Sequence, residues 1–504
     1  MLAMVERFCP LSGFKLNKEM TEILTFAALP PPLVQYVVPT SRPTKALGLL
    51  VAPDLAPHAR FDYVFKRFLE RLLLWSHRAH TLVGKVVILQ AVCLPLLWYQ
   101  LAYVAPVKSQ ADKIDRAMLQ FLHNEPITGI PAKHFRSISQ DVVFLPKAQA
   151  GLGLVRAMET WTTRLKALML RVVQATSTPD GNIPAWTQPG VALLSHHYHP
   201  WGTFTDLLFA DGNLVTIKKL LDDPQLPRRW KPMLNEWFHC RVAAWPRPWT
   251  NNAMIEHQAV WHNALLPAAV AVGQLQVGYN RRYALQVAGL GYTHVNQLQP
   301  TPTLAEGLVA AIIRRSPFRR LSKKFRDWTK VLAGIAHALG AGCQPTEQPP
   351  PTKDVQHPRW LVQLRGRTLL LASAPRQWFC RPPRHKGQQS PMKTNHLMLA
   401  PDHYTAPEHV AAAAALRQPK HIHPKYSDSV YRVVLGALAL RYRLSRFMDV
   451  PATCLFCTAP ETYEHLLLDC IYMQDTWNSL QPLTSALGLQ RPTTLSGILF
   501  DNYQ

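Results

Sequence analysis

Four residues near the carboxyl end of the chain constrain the local fold more than any other feature of the sequence. Cys454 and Cys457 are three positions apart, and His465 and Cys470 follow them. Two cysteines at this spacing can bind one metal ion from a tight turn, and a histidine and a cysteine near a following helix can complete a tetrahedral site. His465 and Cys470 are five positions apart, so the helix predicted over 461–468 must end or unwind between them if both are to reach one ion. Four protein ligands leave no open position, so the pattern predicts a structural Zn²⁺ site.

Length, composition and the other cysteines bound the class of protein. The chain has 504 residues, enough for about three domains of ~150 residues each, and 48% of them are hydrophobic. Only eight cysteines occur, which excludes a disulfide scaffold and is typical of a reducing compartment with one metal site. The competing interpretation is three unrelated cysteines and a surface histidine in an intracellular chain. Prolines (43) outnumber glycines (23), which predicts short helices joined by proline-rich segments.

The charge of the chain points to a polyanionic partner. Lys and Arg number 55 against 31 Asp and Glu, and this formal net charge of +24 favours nucleic acid or an acidic membrane surface. Much of the excess lies in 313–328 and in the acid-free stretch 355–401, where Trp360 and Trp378 are interleaved with basic residues. Basic side chains bind phosphates and aromatic rings stack on unpaired bases, so both runs are candidate nucleic-acid contacts; a solvated face and a basic loop are the alternative. The candidates in the first run are Arg314, Arg315, Arg319, Arg320, Lys323, Lys324 and Arg326.

Hydrophobic periodicity predicts a mainly α-helical chain. Residues 61–91 place apolar and basic side chains on opposite faces at helical spacing. A short strand is expected around 46–51, and residues 176–200, rich in Thr, Pro, Gly and His, are expected to form a linker. Further helices are expected near 106–123, 157–175 and 427–447.

One apolar stretch allows a membrane interpretation. Residues 86–107 carry no charge and are long enough to cross a bilayer as a helix. Gln90, Gln100 and the central Pro95 oppose this, and the stretch also continues the amphipathic pattern upstream of it. We therefore favour a buried helical hairpin, with a membrane segment as the alternative.

The segment around the four ligands resembles a known domain. Residues 454–477, with Glu464-His465-Leu466 and a trailing Trp477, resemble the zinc-binding domain that follows the polymerase in non-LTR (LINE-type) retrotransposon reverse transcriptases. Residues 431–444 match the helix that leads into that domain. Four earlier segments resemble elements of the same family in the family's order: the SG-x-K-x-N element of the palm (Leu11–Lys18), the strand behind it (Ala46–Val51), the start of the thumb (Gly84–Gln90) and the LP…GLG turn (Leu145–Leu154).

The resemblance implies a fold and a function. The chain would be the C-terminal portion of such a reverse transcriptase, mainly α, with no small-molecule substrate. The resemblance implies a location in the nucleus, and without it the cytoplasm is expected. Its thumb would hold the primer–template duplex through phosphate contacts, and its zinc domain would help to hold template RNA or target DNA. The missing polymerase portion would be a further partner. The implied domains are a palm remnant with a short β-hairpin (1–60), a helical thumb-like region (61–175), a basic, Pro/Trp-rich connecting region (176–425) and the zinc-binding domain (426–504).

Five basic residues of the thumb-like region are the candidates for phosphate contacts. They fall on the polar side of the predicted helix over 61–91, and the alternative is that they only solvate its outer face. The candidates are Lys66, Arg67, Arg71, Arg78 and Lys85.

The carboxylate pair that binds two magnesium ions in this family is not found. It would precede the SG-x-K-x-N element, yet Glu6 is the only acidic residue before Leu11. Phe209-Ala210-Asp211-Gly212 looks like the polymerase box, but its second carboxylate is glycine and we predict a loop. Asp222-Asp223 precedes a proline and is expected to cap or end a helix. We therefore expect a chain derived from an RNA-directed DNA polymerase that is inactive alone, from a truncated element copy or an incomplete gene model.

Two other functions compete with this interpretation. The first is a stand-alone zinc-dependent nucleic-acid-binding protein that uses the basic runs and the cysteine cluster without any polymerase. The second is a membrane-associated basic protein anchored by residues 86–107.

The polymerase expectation is testable directly. A primer-extension assay with magnesium and a primed RNA template should show no template-dependent synthesis by this chain, because no paired carboxylates are present to bind two metal ions. Template-dependent extension by the chain alone would refute the expectation, and a commercial reverse transcriptase in the same assay controls for the template.

Overall fold

The computed structural model divides the chain into two compact units, one made of 1–159 with 384–504 and the other of 160–383. Apart from isolated positions, it describes the following residues: 43–46, 49–52, 55–101, 106–130, 138–177, 183–227, 229–241, 261–263, 361–364, 367–375 and 422–499. Within them the fold is mainly helical, with small two-stranded antiparallel sheets, which confirms the predicted class. The palm and thumb divisions and the four domain boundaries remain predictions.

The first unit is built from helices around one apolar core. Its elements are β1 (Thr44–Ala46), β2 (Leu49–Val51), α1 (Pro57–Ser76), α2 (Leu82–Ile88), a π-turn (Leu89–Cys93), α3 (Leu94–Leu101), α4 (Lys108–His123) and α5 (Gln140–Phe144). Helix α6 (Ala157–Thr176) contains the boundary between the units. After it in the chain, the first unit has α11 (Pro424–Val434), α12 (Arg441–Leu444), a second π-turn (His465–Asp469), α13 (Ile471–Ala486) and α14 (Leu495–Leu499).

The core forms where α1 packs on α3 and α4 and α2 packs on α4. The apolar stripe seen in the sequence is the buried face of α1, with Phe61, Val64, Phe68 and Leu72 all buried. Helix α4 is more deeply enclosed: most of its residues from Ala111 onward are buried. Helical periodicity thus located the core correctly, because a stripe at i, i+3 and i+4 has to face another apolar surface.

Two of the sequence expectations for this unit were wrong in detail. The periodic run 61–91 is not one helix, because α1 ends at Ser76 and α2 begins at Leu82. The Thr81 side chain accepts a hydrogen bond from the N–H of Gly84 and so caps a new helix there. The expected single strand over 46–51 is divided between β1 and β2, with Ala46 paired to Leu49 across a two-residue connection, which gives a short β-hairpin as expected within 1–60.

Helix α11 joins the C-terminal segment to the helical core. The Asp428 carboxylate, which is buried, accepts a hydrogen bond of 2.7 Å from the N–H of Leu82 at the first turn of α2. A carboxylate at a helix N-terminus is stabilised by the unpaired N–H groups and by the helix dipole. Three residues further along, the Tyr431 hydroxyl donates to the carbonyl of Ala150 at 2.6 Å. Tyr431 and Val434 belong to the same core cluster as α1 and α4, so residues more than 270 positions apart in sequence pack together.

The expected single basic helix over 427–447 is broken in the middle. Gly436 adopts a left-handed conformation (φ 61°), and the N–H of Ala437 donates to the carbonyl of Arg432 at 2.7 Å. Together with a bond from Gly436 to Val433, this is the glycine C-cap that commonly ends an α-helix. Helix α11 therefore stops at Val434, and α12 resumes only at Arg441.

The second unit also corrects an expectation. Its elements are α7 (Gln188–Tyr198), α8 (Phe204–Leu207), α9 (Val215–Leu221), α10 (Trp230–Arg241), β3 (Leu361–Leu364) and β4 (Arg367–Leu370). Residues 176–200 were expected to be a linker, yet α7 lies inside them. Gly190 explains why a helix packs there: a Cβ at this position would lie 1.8 Å from the buried indole of Trp230. The close approach of α7 to α10 needs a glycine, so this residue serves packing and not flexibility.

The stretch Leu82–Tyr99 bears on the membrane alternative. Over these 18 residues the mean hydropathy is 1.8, so length and composition would allow it to cross a membrane. The core helices of soluble proteins pass the same test, and 44% of this stretch is buried inside the protein. Its buried residues include Leu89, Cys93 and Leu97. This is weak support for a membrane segment, which stays an alternative.

The Tyr431 hydrogen bond predicts a stability change. Tyr431→Phe removes the donor to the Ala150 carbonyl, and leaving that buried acceptor unpaired should lower the free energy of unfolding by about 1–3 kcal/mol. Urea denaturation of the full chain measures this. Tyr426→Phe on the same helix is the matched control, because Tyr426 is exposed and should give almost no change. Equal losses in the two variants would contradict the role assigned to Tyr431.

Candidate metal centre

A short hairpin-like turn presents the two cysteines of the C-x2-C pair. Thr453 and Pro460 form an antiparallel bridge, and the N–H of Cys454 donates to the carbonyl of Ala459 at 2.8 Å. The N–H of Glu461 closes the base of the turn by donating to Ala452 at 2.9 Å. Pro460 therefore belongs to this bridge and precedes the helical turn. These backbone contacts hold Cys454 and Cys457 on one turn.

The histidine and the third cysteine come from a widened helical turn. The chain becomes helical at Tyr463, and the N–H of His465 donates to the side-chain oxygen of Thr462 at 3.2 Å, which caps the helix. From His465 to Asp469 the helix is a π-turn, and the N–H of Cys470 donates to the carbonyl of His465 at 2.7 Å. Cys470 itself is extended (ψ 133°) and precedes α13. The expected unwinding before Cys470 is therefore present, as a five-residue turn that puts positions i and i+5 near each other.

A tryptophan supports the widened turn. The indole Nε1 of Trp477, on α13, donates to the carbonyl of Leu467 at 2.9 Å. This carbonyl lies within the π-turn, where the regular helical pattern of hydrogen bonds is interrupted. The sequence had shown Trp477 only as part of the family resemblance, and its contact explains why an aromatic donor is useful at this distance from His465.

The four candidate ligands converge. The Sγ atoms of the three cysteines and a ring nitrogen of His465 all lie within 4.8 Å of one another. Among them, Cys457 Sγ and His465 Nε2 are 3.1 Å apart. In a tetrahedral site with metal–sulfur bonds of about 2.3 Å, ligand atoms lie roughly 3.5–3.8 Å apart, so small adjustments would complete the coordination. The residues present fit a four-coordinate metal ion.

The environment of Cys454 favours the form that binds metal. The backbone N–H of Phe456 donates to its sulfur at 3.4 Å. This is the largest of several hydrogen bonds, including one with His465, that lower the pKa of the Cys454 thiol to about 7. A thiolate, not a thiol, is the metal ligand. Part of the cluster is also shielded, since Cys454, His465 and Cys470 are buried and Cys457 is half-buried. A closed donor set of this kind could hold an ion for stability, without a position for a substrate.

Two residues beside the cluster anchor it to the preceding segment. The Tyr463 hydroxyl accepts a hydrogen bond of 2.9 Å from the N–H of Leu438, and burial raises the pKa of Tyr463. The Glu461 carboxylate accepts one of 3.0 Å from the N–H of Arg441 at the start of α12. Tyr463 also packs against the core cluster of the first unit. The sequence did not reveal these roles. Two polar side chains next to His465 were visible in it, but their hydrogen-bond partners lie twenty or more residues earlier in the chain.

The candidate phosphate-binding residues of α1 lie on its outer side. Lys66 and Arg67 are exposed, and Arg71 is half-buried. The Arg67 guanidinium lies over the ring of Tyr63, and its Cζ is 5.8 Å from the ring centroid. Arg78, just past the end of α1, lies over the ring of Trp75 at 5.3 Å. These four basic residues form the α1 basic surface, and two of them are already paired with an aromatic ring.

Lys85 is different, and we leave it out of that surface. Its side chain is 2% exposed, and its ammonium donates to the carbonyls of Phe121 (2.8 Å) and Leu122 (3.2 Å) and to the Asn124 side chain. These acceptors lie at the end of α4, where carbonyls lack helical partners. Burial lowers the pKa of Lys85 to about 8. Helical spacing had put Lys85 with the outer basic residues, but the break between α1 and α2 turns it inward.

The other candidates fall in two groups. The run Arg314–Arg326 lies outside the described residues, as does most of 355–401, including Trp360 and Trp378. The polymerase-like box is not a carboxylate pair: Ala210 forms a bridge with Asn263, and a Cβ at Gly212 would lie 2.5 Å from the ring of Phe238. Asp222 caps the C-terminus of α9, as expected, and pairs with Lys231.

Three histidines lie close together at positions 196, 197 and 199, and one of them has an acidic partner that the sequence did not show. His197 Nε2 lies 2.9 Å from the carboxylate of Asp223, so tertiary structure supplies an acid that is distant in the chain.

Among the residues that the structure describes, the cluster at Cys454 is the one group of three or more ligand-type side chains close enough to hold a metal ion.

Comparison with known proteins adds no assignment: neither a protein-family model nor a curated protein sequence matches this chain.

Metal binding by the cluster can be measured. We expect purified chain to contain about one metal ion per molecule, and elemental analysis identifies it. Cys454→Ser should lose the ion, because a hydroxyl is a poor substitute for a thiolate ligand. Cys240→Ser is the matched control, since Cys240 lies outside the cluster and donates to the carbonyl of Trp237. Metal-free protein with every thiol free to react would overturn the assignment.

Proposed function

We propose that the chain is the C-terminal, nucleic-acid-binding portion of a non-LTR retrotransposon reverse transcriptase, with a structural zinc site and no polymerase activity of its own. The convergence of Cys454, Cys457, His465 and Cys470 carries the proposal. Of all the features in the resemblance, this one requires the most specific geometry, because the ligand atoms of four residues spread over seventeen positions have to meet at one point. Three thiolates and an imidazole are a donor set of structural Zn²⁺ sites.

The zinc ion would act on folding and not on substrate. When bound, it would hold the C-x2-C turn, the π-turn and the start of α13 together with a free energy that the small apolar contacts of this segment cannot supply. Tyr463 and Glu461 connect that segment to α12 and to the chain after α11. Helix α11 in turn docks on the first turn of α2. The zinc unit and the helical core would therefore form one platform.

The α1 basic surface supports a nucleic-acid partner. Cations over aromatic rings, as in the pairs Arg67–Tyr63 and Arg78–Trp75, present charge and a stacking plane together. Phosphates are bound by the charge, and unpaired bases stack on aromatic or guanidinium planes. A similar pair involves α12, where Arg446, just past the end of the helix, lies 4.9 Å from the centroid of the exposed Tyr442 ring. The strongly basic chain as a whole, at +24, adds a long-range attraction to polyanions.

A stand-alone zinc-dependent nucleic-acid-binding protein is the second candidate. The same cluster and the same basic surfaces favour it, because neither requires a polymerase. The membrane alternative has the Leu82–Tyr99 stretch in its favour, but that stretch supplies much of the core between α1 and α4. A polymerase box in frame in the genomic sequence upstream would separate the first two candidates.

Salt dependence of binding tests the nucleic-acid proposal. In a set of four changes, Lys66, Arg67, Arg71 and Arg78 are replaced by Gln, and binding of a fluorescent single-stranded RNA is followed by anisotropy at several salt concentrations. The slope of log K against log salt should become shallower by roughly 0.7 for each phosphate that the variant no longer neutralises. Neutralising Arg314–Arg326 in a second set measures the contribution of that run.

The matched control removes the same charge elsewhere. Four exposed basic residues outside the α1 basic surface are replaced by Gln: Lys113, Lys147, Lys425 and Arg491. If the loss of affinity reflects net charge alone, this control will show the same slope as the α1 set. That result would remove α1 from the proposal, and an RNA affinity unchanged in all three sets would refute nucleic-acid binding by these surfaces.

A further inference from the structure

The segment that holds the metal ligands is acidic within a basic chain. Residues 447–490 contain five acidic residues, no Lys and no Arg, so their formal charge is −5, against +24 for the whole chain. Four of these carboxylates are exposed and form no ion pair with a described residue: Asp449, Glu464, Asp469 and Asp475. A phosphate backbone would be repelled by this segment, which argues against the expectation that the zinc domain holds template RNA or target DNA through these residues and favours a positively charged partner.

Helix α13 carries an apolar stripe that faces solvent. Tyr472, Leu480 and Leu483 lie eight and three positions apart, and Leu487 follows at the end of the helix, so all four fall on one side at helical spacing. They are 55%, 39%, 59% and 65% exposed. No residue of this sixteen-residue helix is buried. The neighbouring flank, with Trp477 hydrogen-bonded to Leu467, is the side that contacts the π-turn.

The C-x2-C turn extends this apolar stripe. Phe456, between the two cysteines of the pair, is 61% exposed, and its ring lies 5.3 Å from that of Tyr472. Leu455 beside it is 73% exposed. We call the surface formed by Phe456, Tyr472, Leu480, Leu483 and Leu487 the α13 face. An amphipathic helix normally buries such a stripe, and an exposed apolar patch with a charged border marks an interaction site.

We propose that the α13 face binds a positively charged amphipathic helix of another protein. Apolar side chains of that helix would cover Tyr472, Leu483 and Leu487. Its Lys and Arg residues would pair with the exposed carboxylates of the acidic segment, of which Asp475 lies within α13 itself. Charge complementarity selects this occupant over two others. Nucleic acid would bring phosphates against unpaired carboxylates, and a second copy of this chain would bring two acidic segments together.

The proposal is independent of the α1 basic surface, since it concerns a different partner on a different helix. The test uses the full chain and a fluorescein-labelled synthetic amphipathic peptide with Leu on one face and Lys on the other, in an anisotropy titration. Binding should be saturable and should weaken with added salt, because part of the attraction is between charges. A peptide with Glu in place of every Lys should not bind.

Variants of exposed residues identify the surface. Leu483→Lys should weaken peptide binding about tenfold or more, because it removes an apolar contact and adds a repelling charge. Asp475→Asn should weaken it by a smaller factor and reduce its salt dependence. Gln481→Lys is the matched control: it adds the same charge to the same helix on a different side, and affinity should stay within about twofold. Metal content measured on each variant establishes that the metal-binding unit is intact.

Each other occupant has its own signature. Equal peptide binding by the native chain, Leu483→Lys and Gln481→Lys would overturn the proposal. So would a single-stranded RNA probe whose affinity falls with Leu483→Lys, since the α13 face would then contact nucleic acid. Sedimentation analysis that shows a dimer of the native chain, and a monomer for Leu483→Lys alone, would assign the face to self-association and equally refute a basic partner.

Discussion

The contact between Asp428 and the first turn of α2 is the constraint on which the arrangement of the first unit depends. It joins residues 346 positions apart, and both partners are buried. A carboxylate without this donor would be costly to bury, and the N-terminus of α2 would lose a stabilising negative charge. Arg432, one turn along α11, donates to the other carboxylate oxygen at 2.8 Å, so the acid is satisfied on both sides. With α11 fixed, Tyr431 reaches Ala150, and the start of the metal-binding segment is set.

The metal cluster depends on a second constraint, the π-turn between His465 and Asp469. In a regular helix, residues five apart do not share a face as residues three or four apart do, so this spacing argues against a common ion unless the turn widens. The structure widens it, holds a carbonyl of the turn with Trp477 and ends it at an extended Cys470. Turn, π-turn and α13 have few buried contacts, which is typical of small units that rely on a metal ion for stability.

Acidic and basic residues are unevenly distributed along the chain, and the net charge alone does not show this. The +24 excess describes the sum, but the metal-binding segment is acidic and α1 is basic. Lys85 shows the same division at one residue: it counts among the basic residues of the composition, yet it is buried and ties α2 to the end of α4. Lys85 lies after the break between α1 and α2, and this position makes it a buried structural cation, whereas Lys66 and Arg67 on α1 face solvent.

Local spacing in the sequence was enough to predict the mainly helical class, the apolar face of α1, the places of α4 and α6 and the identity of the four candidate ligands. Helical periodicity and ligand spacing are properties of neighbouring residues in the sequence, so predicting these features needed no tertiary information. The structure showed where one helix ends and another begins, as at Gly436 and Thr81, through local caps that the periodicity did not reveal. Tertiary structure alone decided which distant partners meet, as with His197 and Asp223 or Tyr463 and Leu438. It also decided that Lys85 is buried and that the α13 face is exposed. Burial and long-range pairing depend on what packs against a residue, and no local pattern contains that information.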